Sequence, residues 1–310
     1  MWLYYGQVPA ALWLHSTTDA AIINCTFAHL GGHGVAVDHA SQRITIADSG
    51  FTDISGGAMY LANTNDSHVT TAQLQMAAVT VVNNVVSGVP LEYHGASGVW
   101  TGYVRDAVYA HNTISTCPNG CFELGWGWGS NVSYAGNNTI DSNHIVRSNW
   151  LMEDCGSIYV NGMQATPSRM TRNYCEQQVL KYGALYPDEG SSNWLLSQNV
   201  VHSVPEWLHI WTTSIHDITV ADNWSDQTYQ VENVRARACE GVRARACGRV
   251  RQRATACERE PASRASPLLS PARSVSQGVN ITLVNNTFIQ PGSPFPAAAQ
   301  AIMAAAGAQW

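Results

Sequence analysis

Short β-branched and apolar runs return along the chain, each closed by an Asn and a small apolar triplet. Ile22-Ile-Asn24-Cys-Thr-Phe27, Val81-Val-Asn-Asn84-Val-Val86, Ala110-His-Asn112-Thr-Ile114 and Asp141-Ser-Asn143-His-Ile145 are examples. The signal continues at Asn173, Asn199, Asn223 and Asn286, and Ala47-Asp-Ser49-Gly-Phe51 repeats it without its Asn. Gly-led strands at Gly34, Gly57, Gly98, Gly120, Gly156 and Gly183 lie between these turns. From Asn84 the Asn positions step by 28, 31, 30, 26 and 24 residues. A period in this range marks a solenoid, and short β-branched strands with no helical face make it a β-solenoid. The expected fold is all-β: a right-handed parallel β-helix. Its coils stack about 4.8 Å apart, and the turn Asn side chains bond to one another from coil to coil. Irregular steps imply loops of differing length, where function usually sits.

Three segments follow from this pattern. Residues 1–231 read as coils, and 278–310 as a last strand and a C-terminal tail. The tail's 297–307 stretch is Ala-rich and reads as a short helix able to cover the last coil. The first coil begins almost at Met1 with no capping segment, so the solenoid is expected to be N-terminally truncated. Residues 232–277 break the pattern. They hold ten Arg against four Glu, a net of +6, and Val234-Arg-Ala-Arg-Ala-Cys239 recurs word for word at 242–247. This low-complexity insert reads as a translated intron or simple nucleotide repeat, or as a disordered basic loop.

Charge then narrows the partners. The remaining residues carry six basic against eighteen acidic side chains, a net of −12. A body that acidic does not seek phosphate backbones, so no nucleic-acid partner is expected. No run approaches a membrane span. Met1-Trp-Leu-Tyr-Tyr-Gly lacks the basic start of a secretion signal, and an extracellular or secretory location would need one in a preceding segment. A monomer is expected. No Cys-x-x-Cys spacing occurs, and neither metal nor cofactor is expected. Cys117 and Cys121 are close enough in sequence to pair across a turn, but the cysteines form no disulfide framework. Seven Asn-x-Ser/Thr sequons, Asn223 among them, read as turn Asn about as well as glycosylation sites. Eleven Trp and twelve Tyr against five Phe is a balance suited to gripping polar ligands such as sugars.

Several segments resemble right-handed parallel β-helix proteins of the pectate-lyase-like superfamily, and most closely glycoside hydrolase family 141 and its uncharacterised relatives. They are Gly125-Trp-Gly-Trp-Gly129, Asn137-Asn-Thr-Ile-Asp-Ser-Asn-His-Ile145, Asp154-Cys-Gly-Ser-Ile-Tyr159, Asp188-Glu-Gly-Ser-Ser-Asn193 and the Ala-rich ending. The resemblance resumes at Gly278, beyond the insert. It implies retaining hydrolysis of plant or algal cell-wall glycans, fucosidase- or xylanase-like, with catalytic carboxylates at Asp154 and Asp188. Two positions depart from the family pattern: Cys155 stands where it has Gly, and Pro187 where it has an aliphatic residue.

The residues carry this chemistry on their own terms. Glycoside hydrolysis needs two carboxyl groups about 5–5.5 Å apart for retention or 6.5–9.5 Å for inversion, distances that adjacent coils supply. Asp154 and Asp188 lie about one coil apart, with Glu153 and Glu189 as rivals. Glu123, Tyr159 and Tyr186 each stand three residues after a coil glycine, as does Tyr60, so they form a predicted column on one face. Trp126 and Trp128 flank it, and together these side chains are the predicted sugar-binding set. Trp207-Leu-His-Ile-Trp211 either extends the cleft or closes the core. Two other readings remain open: a pectate-lyase-like eliminase, and a non-catalytic carbohydrate-binding or structural β-helix.

Overall fold

The computed structural model describes residues 8–129, 131–227 and 278–309. These residues build a right-handed parallel β-helix whose coils each contribute strands to three sheets. The first sheet has eight strands, from Ala10–His15 to Glu206–Leu208; the second and third have nine each, ending in Val279–Val284 and Thr287–Phe288. Every strand pairing is parallel. The second and third sheets continue on both sides of residues 228–277: His216 pairs with Val279 and Trp224 with Thr287. The insert assigned to 232–277 lies outside the described residues. Beyond it the chain adds two strands rather than one, and so completes the last coil of both sheets.

Alternation fills the interior. Val35, Met59, Val99, Phe122, Ile158, Leu185 and Leu208 lie in one register column, each at most 2% exposed. Stacking converts seven half-buried strands into one continuous core, which no single coil could bury alone. Cys117 and Cys121 are free thiols within that core.

The turn between the second and third sheets explains the Asn period. Nδ2 of Asn84, Asn112, Asn143, Asn173, Asn199 and Asn223 each donates to Oδ1 of the next Asn, ending at Asn286, at 2.8–3.0 Å. The backbone N–H of each donates to the same oxygen. The second Nδ2 hydrogen reaches a strand carbonyl, such as Tyr109 O for Asn143 at 3.0 Å. The residue before each ladder Asn is left-handed, with φ between 52° and 58° at Asn83, His111, Ser142, Arg172, Gln198, Asp222 and Asn285. Such a conformation costs about 1–2 kcal/mol for a residue with a Cβ, and the satisfied ladder offsets it. One expected position is corrected here. Asn24 occupies the left-handed site (φ 53°), and the ladder site in the first coil is Cys25, whose N–H donates to Ser49 Oγ. Asn223, read from sequence also as a sequon, is buried in the ladder.

The tail does form a helix, Ala297–Ala305, but it lies along the flank of the third sheet rather than across the end of the last coil. Phe295 and Ala299 pack on Tyr174 and Val200. The chain then runs back over earlier coils: Gly307 N–H donates to Ser142 O, Ala308 N–H to Thr113 Oγ1, and Asn83 Nδ2 to Gln309 O at 3.0 Å.

Candidate active site

The outer face of the first sheet carries a second column. Ala36, Tyr60, Trp100, Glu123, Tyr159 and Tyr186 lie side by side on successive rungs. Their shared register follows from strict alternation, since each flanks a core residue. The early part is a plain aromatic stack. Tyr60 lies over Trp100 with ring centroids 4.4 Å apart and planes 14° from parallel, so neighbours cover the ring faces. The stack ends at Trp126, which meets Trp100 at 74°, and Trp128 meets Trp126 at 68°. Glycines let this loop lie against later coils. Gly125 has φ +109°, and a Cβ there would fall 2.0 Å from Asn161 O; a Cβ on Gly190 (φ +76°) would fall 2.2 Å from Gly129 O.

Beneath this loop sits Asp188, at the end of the strand Gly183–Pro187 and buried. Tyr159 Oη donates to its Oδ2 at 2.5 Å, and Trp211 Nε1 donates to its Oδ1 at 2.7 Å. Trp128 Nε1 in turn donates to Tyr159 Oη at 3.3 Å. The 207–211 segment closes the core through Leu208 and Ile210, while Trp211 reaches out to Asp188. Its neighbour His209 bonds Glu206 at 2.8 Å and sets its ring edge-on to Tyr186.

Asp154 is exposed and left-handed (φ 62°), and Tyr186 Oη donates to it at 3.4 Å. The charges of Asp188 and Asp154 both act on Tyr186 and on Glu189. Burial, then those two charges, push the Glu189 carboxyl above its ordinary value. Burial followed by Asp188 drives the Tyr159 and Tyr186 phenols far up, so both remain donors. Glu153 turns to the rim and pairs with Lys181 Nζ at 2.9 Å, both side chains at least half exposed. Glu123 sits one rung from Tyr159. It accepts from Ser97 Oγ and, at 3.1 Å, from Cys155 Sγ, and burial raises its carboxyl.

The structure thus brings Asp154, Asp188, Glu189, Tyr159, Tyr186 and Trp128 together, and leaves Glu153 in a surface ion pair. Sequence reasoning assigned no role to Ser97, Cys155, Glu206 or His209, and did not tie Trp211 to Asp188. The available signal was alternation in 207–211, where His209 and Trp211 must share a face opposite Leu208 and Ile210. Among the described residues no group of three or more His, Cys, Asp or Glu is arranged to hold a metal ion, and no helix is long and apolar enough to cross a membrane.

No family model and no curated protein matches the chain. Among solved structures, a PL6 family alginate lyase is similar at TM-score 0.39 and 10% identity, over 67% of this chain and 35% of that one. A glycoside hydrolase is similar at TM-score 0.60 and 20% identity, over 97% of this chain and 40% of that one. The chain therefore spans less than half the length of either protein. What it shares with the solved glycoside hydrolase, over nearly all of its own length, is the β-helical fold.

Proposed function

We propose that the chain forms the catalytic part of a glycoside hydrolase acting on a neutral cell-wall polysaccharide, fucosidase- or xylanase-like as in glycoside hydrolase family 141. The observation that carries this reading is the pair of adjoining tyrosines, Tyr159 bonded to Asp188 and Tyr186 bonded to Asp154, with Glu189 next in the chain and Trp128 and Trp211 alongside. Asp188 attacks the anomeric carbon, its two oxygens held in place by the Tyr159 and Trp211 donors. Glu189 delivers the proton to the departing oxygen. Its raised carboxyl keeps that proton at higher pH than an ordinary Glu, and the Asp154 charge helps hold it there. Trp126 and the rim of Trp128 offer the sugar an apolar surface. The described first-sheet strands contain no Lys or Arg, and Lys181 on the rim is paired with Glu153. That disfavours an eliminase, which must neutralise a uronate carboxyl beside the bond it breaks.

Incubation with neutral and uronate polysaccharides tests the reading, with products followed by reducing ends and ultraviolet absorbance. New reducing ends from a neutral glycan without absorbance are expected. An unsaturated, absorbing product would establish elimination, and tight binding without turnover would establish a binding module. With an activated aryl glycoside, Glu189→Gln should keep most of its turnover while Asp188→Asn keeps none. The reverse pattern, with Asp154→Asn rescued by the good leaving group, would make Asp154 the acid.

A further inference from the structure

The bonds around Asp188 have only one possible direction. An indole N–H donates and never accepts. Trp211 therefore donates to Oδ1, and Trp128 donates to Tyr159 Oη, whose own single proton is left for Oδ2 of Asp188. The four residues come from four successive coils, in the order Trp128, Tyr159, Asp188, Trp211. Tyr159 and Asp188 are buried, so water does not compete for the inner bonds.

We propose that Trp211 and Tyr159, the latter steadied by Trp128, are positioning residues that hold the Asp188 carboxylate in the orientation needed to reach an anomeric carbon. Tyr159 and Trp128 are then parts of the Asp188 mount more than sugar-stacking platforms. This inference rests on the hydrolase reading above, and its test separates the two.

The first arm needs no turnover. In ¹⁵N–¹H spectra of the full chain, the Trp211 indole resonance is identified by its loss in Trp211→Phe. In wild type it should lie downfield and exchange slowly, and it should move upfield in Asp188→Asn. The second arm uses whichever neutral glycan wild type hydrolyses. Trp211→Phe and Tyr159→Phe should each lower kcat about ten- to a hundredfold, with KM within about threefold of wild type. Trp211→His, which keeps a ring N–H, should recover part of the lost kcat, a gain that a packing role alone would not give. An indole resonance indifferent to Asp188→Asn would overturn the proposal, as would a Trp211→Phe variant with wild-type kcat. If the resonance responds but wild type turns over no glycan, the hydrolase reading fails and the positioning role falls with it, leaving a structural lock.

Discussion

Two columns run along this molecule, one through the turn between the second and third sheets and one on the outer face of the first. In the turn, seven coils repeat Asn with the same partners and distances. On the outer face, successive rungs carry Ala36, Tyr60, Trp100, Glu123, Tyr159 and Tyr186, and the contacts change at each step. Both columns use the same stacking distance. Where neighbours are identical, each satisfies the next and the column stores stability. Where they differ, side chains from several coils converge on a single group, and Asp188 is that group. A break in the repeat is therefore where chemistry should be sought in such a fold.

Mutations should separate the columns, and the largest effect is expected at the irregular one. Asp188→Asn should cut hydrolysis about a thousandfold or more, an effect larger than the stability lost as its amide meets the buried Tyr159 donor. The regular column should respond the other way. Asn143→Ala removes the acceptor of the Asn112 N–H and Nδ2 groups inside the core, and should cost about 3 kcal/mol in urea unfolding with kcat unchanged below the transition. Next comes pH. The Glu189 carboxyl is raised in the folded chain above the ordinary 4.5. Its proton is thus retained above that pH and lost as pH climbs through the folded value. Turnover should fall on that limb, and Glu189→Gln should abolish the limb along with most activity on poor leaving groups. Folding linkage has the matching sign: the unfolded chain gives up this proton first, so stability falls as pH rises from about 4.5 through the folded value. The smallest effect is expected away from both columns. In an early coil the chain passes from Thr26–Leu30 of the third sheet to Gln42–Ala47 of the second within residues 31–41, by way of the first-sheet strand His33–Asp38. Replacing 228–277 with a linker of about that length should leave turnover intact and, because a shorter connection costs less to close, raise stability in urea unfolding by no more than about 1 kcal/mol.

Most of the fold could be read from sequence because one side chain recurs. Asn84 to Asn223 announced the ladder, since only Asn offers both the donor and the acceptor that the turn requires. The same versatility misled at Asn24, because Asn also tolerates the left-handed site one residue earlier. Glycine caused a similar slip: Gly34 and Gly98 pair with Ala58 and Cys121, one residue beyond the position of Gly57, Gly120, Gly156 and Gly183. The Glu123, Tyr159 and Tyr186 column was legible because two-residue periodicity fixes which face a side chain takes. The link from Trp211 to Asp188, the diversion of Glu153 to Lys181 and the Tyr186 bridge to Asp154 were not. Each depends on how far a long side chain reaches between coils, which periodicity does not encode.

The C-terminal tail changes how the molecule should come apart. A solenoid is ordinarily a nearest-neighbour array that can fray from either end, one coil at a time. Here Gln309 is tied to Asn83, 226 residues earlier, after crossing the turns at Ser142 and Thr113. The last residues of the chain thus brace the coils from the third onward like a cord along a stack of rings. Peeling the final coil must first release that cord, so the array should melt in larger cooperative blocks, and a pull on the C-terminus should load the middle coils before the last.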